Sequence, residues 1–230
     1  MTIEGQSPSM HHCLYMLKPH GDITKFELED GLIRGVVSSL LAERSSIAEI
    51  IVHIPRDETV DLPVDLAVAT DNLLIAITAG SEADAMHDLG PLVAEFATVE
   101  GSGAVVRHDA GVLDQTWPGT ATPGVGLRIR VDGAPGIDPA TLSTSVYDFL
   151  EALRGQVPLL GCWAMAALQP DSPLSSMTIS ILFQTSDDLR AALAHGTLAP
   201  FLESPDLDFS HRYVHMVTEH RISPNANTWV

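Results

Sequence analysis

Cysteines and aromatic residues are scarce in this sequence. Two cysteines, three tryptophans, three tyrosines and six phenylalanines stand among 230 residues. Cys13 and Cys162 lie singly inside apolar runs and fit no CxxC or zinc-ligand spacing, which argues against a disulfide framework and a structural zinc site. Both read as buried free thiols suited to a reducing compartment. With so few aromatics, aliphatic side chains must fill the interior. Basic residues are also few, twelve against thirty acidic ones, and the formal charge is −18. A field of that sign repels phosphate backbones and anionic bilayers, so neither nucleic acid nor membrane is an expected partner. No apolar run approaches the roughly 20 residues of a membrane-spanning helix. The opening MTIEGQSPSM has neither a basic nor an apolar leader segment, and a cytoplasmic location is expected. The GxSxG elbow, the Walker A loop, GxGxxG after a strand and HExxH are all missing, so serine hydrolysis and nucleotide-dependent chemistry are not indicated.

What is present is a globular composition, 45% apolar and 18% charged, arranged as one pattern repeated. From Phe26 to Arg44 apolar residues recur every three or four positions, after a Thr24/Glu27 capping box. Gly31 and Gly35 share a face that would let this helix approach a strand. Asp138-Pro139 opens a second such helix, with Leu142, Val146, Phe149, Leu150 and Leu153 as its stripe and Gly155 at its stop. Short β-branched or aliphatic segments flank each helix: 13–18, 48–54 and 73–78 around the first, 126–131, 162–168 and 177–184 around the second. A further helix in each half opens at Ser81 or Ser186 and is interrupted at Gly90-Pro91 or near Pro200. Last strands are expected at 104–108 and 213–219.

The order β-α-β-β-α-β therefore occurs twice, offset by about 110 residues, and predicts two tandem ferredoxin-like units in an α+β fold. The expected division is a flexible 1–10, unit one over 11–109, a linker over 110–124, unit two over 125–220 and a tail over 221–230. The acidic stretch 55–72 reads as a long loop.

Two such units in one chain resemble the dimeric α+β barrel superfamily, particularly its EthD-like and antibiotic-biosynthesis-monooxygenase-like branches. The resemblance implies two units packed sheet to sheet into a barrel, with helices outside. It also implies a small-molecule enzyme, since members include cofactor-independent monooxygenases, cyclases, isomerases, decarboxylases and haem enzymes.

Alternation along strands assigns faces. In the first strand of unit two, Leu127, Ile129 and Val131 face the helices and Arg128 and Arg130 point into the barrel. In the matching strand of unit one, Leu14 and Met16 are placed on the helix side and Cys13, Tyr15 and Leu17 inward. His53 breaks the run Ile50-Ile51-Val52-His53-Ile54, and Trp163 and Met165 occupy the corresponding strand of unit two. A half-buried imidazole is readily tuned across neutral pH, so His53 and His215 are the expected proton carriers. Tyr15 and Arg128 complete the catalytic expectation by stabilising an oxyanion, and Arg130, Trp163, His108 and Met165 are the expected substrate contacts. His211, His215 and His220 cannot share one ion on a strand, where i and i+4 lie roughly 13 Å apart, and no metal is expected. The expected function is acid/base chemistry on a small aromatic or polyketide-like molecule without an organic cofactor, as a lyase, isomerase, cyclase or decarboxylase. The alternatives are a cofactor-free monooxygenase of phenols and a non-catalytic ligand-binding or stability module. Haem is a minor alternative implied by the resemblance, with His53, His108 and His215 as axial candidates. A homodimer is expected if edge strands are exposed.

Overall fold

A computed structural model of the chain describes residues 10–56, 72–109, 124–154, 156, 159–169, 174 and 176–224, with the side chains of 124 and 209–215 excepted. The loop and linker expected at 55–72 and 110–124, and the two termini, therefore fall largely outside the described residues.

Eight antiparallel strands form a closed barrel. They are β1 (His11–Pro19), β2 (Ile47–Pro55), β3 (Leu73–Ala79), β4 (Ala97–Asp109), β5 (Gly124–Gly133), β6 (Gly161–Ala167), β7 (Met177–Phe183) and β8 (Leu207–Ile222), in the order β1-β3-β2-β8-β5-β7-β6-β4. Read by halves, β4-β1-β3-β2 and β8-β5-β7-β6 are the same permutation. Two seams join them, β2 to β8 and β4 to β6. The strands that end each half, β4 and β8, run to 13 and 16 residues because each pairs with both halves. They begin earlier than sequence alternation suggests. Closure leaves no free strand edge in the barrel, so the argument for a dimer from exposed edges loses its basis.

Helices cover the outside. Lys25–Asp30 (α1), a π-helical Gly31–Val37 and Ser38–Glu43 (α2) form the first crossover, opened by the expected Thr24/Glu27 capping box. The single long helix read from periodicity is thus wound more loosely in its middle. Gly31 faces the ring of Phe96, where a Cβ would lie 3.1 Å from it, and Gly35 faces open space, so neither glycine serves a strand approach. The second crossover is α5 (Pro139–Arg154). The later helices are split as the prolines dictate, into α3 (Glu82–Ala85) and α4 (Gly90–Val93), and α6 (Ser186–Ala194) and α7 (Ala199–Leu202). The cap of α6 is Thr185, one residue before the expected Ser186.

Three apolar clusters follow from this layering. Two lie between strands and helices, one in each half. The third fills part of the lumen: Leu14, Ile51, Leu74, Ala76, Val105, Trp163, Met165 and Leu174. Leu127, Ile129 and Val131 pack under the helices of the second half, as alternation predicts. In β1 the assignment is reversed. Cys13, Tyr15 and Leu17 pack under the helices, and Leu14 and Met16 face the lumen.

Both cysteines are buried and unbridged. Burial raises both thiols, Cys162 to about 11, which keeps them protonated and poorly nucleophilic. No helix among the described residues is long and apolar enough to cross a membrane.

Candidate active site in the barrel lumen

The seam between β2 and β8 builds the site. Its register sets His53 directly opposite Glu219, and directly paired residues present their side chains on the same face. Here that face is the lumen. His53 Nε2 lies 2.7 Å from Glu219 Oε2. The same oxygen accepts the Ser180 hydroxyl at 2.8 Å and the Trp163 indole N–H at 3.2 Å. Glu219 Oε1 accepts Arg221 Nε–H at 2.6 Å. His53, Glu219, Trp163 and Ser180 are each 0% exposed. The imidazole stacks on the Trp163 indole, with ring centroids 5.3 Å apart and planes 27° apart.

A carboxylate this deep survives only if it is fully satisfied, and four donors converge on Glu219. Burial pushes its pKa up, but the Arg221 guanidinium and the His53 hydrogen bond outweigh burial and hold it below the usual carboxylate range. For His53 burial wins over the pull of Glu219 and lowers the pKa from 6.5. The pair is therefore an anionic carboxylate and a neutral imidazole. Since the carboxylate only accepts, the ring hydrogen sits on Nε2 and Nδ1 carries a bare lone pair. That Nδ1 is buried and has no hydrogen-bond partner among the described residues.

Two arginines of β5 reach across the lumen. Arg128, 3% exposed, donates from Nη2 to the Asn72 carbonyl at 2.7 Å, while its Nε has no hydrogen-bond partner among the described residues. Burial, helped by the neighbouring charge of Arg130, pushes its pKa down to about 9. Arg130 Nη1 lies 2.9 Å from Met16 Sδ on β1. Beyond Arg221 a ladder of alternating charge continues. Its Nη1 is 3.7 Å from Glu49 Oε1, and Glu49 pairs with Arg107, which holds Asp109 at 2.9 Å. Thr78 Oγ1 joins His12 Nδ1 at 3.0 Å to that group. Asn72 also lines a surface pocket of about 500 Å³ bounded by Lys18, His20, Lys25, Leu28 and Ile54.

Of the residues expected from sequence, the lumen brings together His53, Arg128, Arg130, Trp163 and Met165. Tyr15 does not join them. Its hydroxyl donates to the Ala85 and His87 carbonyls at 2.7 and 2.8 Å, beneath the helices. His108 is also outside, stacked on Tyr147 of α5 with centroids 3.9 Å apart. The His215 side chain falls outside the described residues; its Cα pairs with that of Arg128. Sequence reasoning missed Glu219, Ser180, Arg221 and Glu49. A carboxylate in the middle of the last strand, in Val217-Thr218-Glu219-His220-Arg221, was the one available signal. Among the described residues no group of three His, Cys, Asp or Glu is disposed as metal ligands.

No family model matches the sequence, and no curated protein matches it. Solved structures do share its fold. A proposed monooxygenase from Fusobacterium nucleatum superposes with a TM-score of 0.60 at 8% identity, over 93% of this chain and 94% of the other. An anthrone oxidase-like protein gives 0.54 at 12% identity, over 94% of each chain. A mutant chlorite dismutase from Candidatus Nitrospira defluvii gives 0.53 at 9% identity, over 93% of each. These neighbours have the dimeric α+β barrel fold, and the architecture of this chain is theirs.

The haem alternative is tested by the placement of its ligands. His53 is wholly buried, stacked on Trp163, with one nitrogen committed to Glu219. His108 lies outside the barrel with a ring face covered by Tyr147. The third candidate, His215, has its side chain outside the described residues, and no step is derived through haem.

Proposed function

We propose that the protein is an enzyme that removes a proton from a small, mostly apolar molecule held in the barrel, with no organic cofactor. The observation that carries this reading is the His53–Glu219 pair, a neutral imidazole backed by a buried carboxylate through Nε2, with Nδ1 left without a hydrogen-bond partner among the described residues. Glu219 fixes the tautomer and offsets the charge that His53 acquires on taking a proton, the role a carboxylate plays behind a catalytic histidine. Nδ1 accepts the proton from an acidic C–H or O–H. The negative charge left on the substrate oxygen is stabilised by Arg128, already desolvated and with Nε available. Leu14, Leu74, Ala76 and Val105 supply an apolar wall for the substrate body. Isomerisation, cyclisation, decarboxylation and elimination all begin or end with such a transfer. The equal strand permutation of the two halves supports reading them as tandem ferredoxin-like units, 11–109 and 125–220.

The test is deuterium exchange. The protein in D2O with a 1,3-dicarbonyl compound or an electron-rich phenol should accelerate exchange of the acidic carbon-bound hydrogen. His53→Gln should lose that acceleration by about 100-fold or more, the usual range for a general base. A folded His53→Gln variant with undiminished exchange removes His53 from the mechanism. No exchange with any probe favours the non-catalytic binding module.

A second reading uses the same base. An electron-rich phenol or anthrone-like CH2 compound, once deprotonated, reacts directly with dioxygen. One oxygen atom is retained as a carbonyl oxygen and the other leaves as water. The names borne by two of the structural neighbours favour it, and oxygen uptake on adding substrate separates it from the first.

A further inference from the structure

The donors left over in the lumen define the ligand. Arg221 Nη1 and Nη2 and Arg128 Nε are buried without a hydrogen bond among the described residues. Both side chains are at least nine-tenths buried, and both guanidiniums act electrostatically on His53. Buried donors in native proteins are almost always satisfied, and leaving a charged one unmade is costly. These three guanidinium nitrogens, without a hydrogen bond near one imidazole, therefore call for an acceptor. Charge points the same way. The chain carries −18, yet the described lumen side chains comprise four guanidiniums, Arg107, Arg128, Arg130 and Arg221, against three carboxylates, Glu49, Asp109 and Glu219. Guanidiniums are thus gathered in the lumen of an otherwise anionic protein. Such a field draws a small anion inward.

We propose that the ligand of this site is a small organic carboxylate, bound as the anion, that accepts from guanidinium N–H groups of Arg221 and Arg128 beside His53. Guanidinium and carboxylate match as a two-pronged pair, and the fit is planar and directional. The carboxylate completes Arg221, whose Nε already holds Glu219, and so ties ligand binding to the base. Its hydrophobic remainder lies against Leu14, Leu74 and Ala76. This inference rests on the proposed site but not on its chemistry.

The experiment compares isosteric probes by calorimetric titration of the intact chain: benzoate against benzamide, and 2-hydroxybenzoate against 2-hydroxybenzamide. Each carboxylate should bind about ten- to a hundredfold more tightly than its amide, the worth of a charge-assisted hydrogen bond. Arg128→Gln should remove most of that preference. Arg128 touches only the Asn72 carbonyl among the described contacts, so this variant is the one expected to fold. Arg221→Lys, which keeps the charge but loses the fork, should weaken the carboxylates and leave the amides unchanged. Equal affinity for acid and amide, or no binding of either acid, overturns the proposal, and neither result touches His53-dependent exchange. Carboxylate preference with exchange that survives His53→Gln would retain this inference and discard the proposed chemistry.

Discussion

The two halves of the barrel are built on one plan and differ on one face. Outward, both bury aliphatic residues under their helices, Leu17, Ile50 and Ile75 in the first half, Leu127, Ile179 and Ile181 in the second. Inward, β1 and β3 present Leu14, Met16, Leu74 and Ala76, whereas their counterparts β5 and β7 present Arg128, Arg130, Thr178 and Ser180. The outer face has no freedom, because a helix stripe must be met by apolar surface. The inner face is free to diverge once the barrel is closed and some other group satisfies its polar atoms. The pair β1–β3 is mainly a wall and the pair β5–β7 a set of donors, and Glu219 at the seam binds the two halves together. The chemistry is thus placed by the asymmetry and the scaffold by the symmetry.

The strongest way to break that contrast is to remove the residue that satisfies the polar half. Glu219→Ala leaves Arg221, Ser180, Trp163 and the imidazole N–H without their common acceptor. The expected cost is about 3–5 kcal/mol in urea unfolding, the range for breaking a buried charged pair by deleting one partner. A cost below about 1 kcal/mol, within the range of an ordinary net hydrogen bond, would mean that these groups do not act as one network.

Acid sharpens the comparison less severely. His53 has a folded pKa below its ordinary 6.5, and so do His12 and His220 through burial. Above 6.5 both folded and unfolded chains leave these rings neutral. As pH falls through 6.5 the unfolded chain takes up protons that the folded one refuses, and stability is lost down to the folded pKa. Each such group contributes a slope of at most about 1.4 kcal/mol per pH unit. Glu219 adds loss of the same sign below its ordinary 4.5, since its folded pKa is also depressed. Unfolding free energy measured from pH 7.5 to 5.5 should fall more steeply in the native chain than in His53→Gln. Parallel curves would show that His53 is not held neutral by its surroundings.

How much of this was readable in advance depended on whether a strand carried a polar marker. In β5 the arginines alternate with Leu127, Ile129 and Val131, so the inward face declared itself. In β1 the run Cys13-Leu14-Tyr15-Met16-Leu17 is apolar on both faces, and alternation cannot tell which one lies under a helix. Hence Tyr15 was placed inward and Leu14 outward, the reverse of the structure. Helix caps and proline breaks are local, and most of them agreed with the sequence pattern. Glu219 escaped for the opposite reason. Its partners lie on β2, β6 and β7, and the seam that brings β2 beside β8 exists only after the barrel closes. His53 could be singled out because it interrupts its own strand. The carboxylate behind it could not, since nothing near it in sequence shows what it faces.

Tyr15 offers the smallest and cleanest test of which face is which. Its hydroxyl bridges the Ala85 and His87 carbonyls at the end of α3, and burial raises its pKa, with the neighbouring Cys13 adding to the effect, so the phenol stays protonated. Tyr15→Phe keeps the ring and removes one hydrogen-bond donor, which should cost about 1 kcal/mol of unfolding free energy. Because the ring packs with Leu28, Val36 and Ala85 rather than with the lumen, ligand affinity and His53-dependent exchange should be unchanged. A Tyr15→Phe variant as stable as the native chain but defective in exchange would return the hydroxyl to the lumen and reverse the face of β1. A small loss of stability with full exchange would assign the outer face to holding the helices and the inner face to chemistry, in this half as in the other.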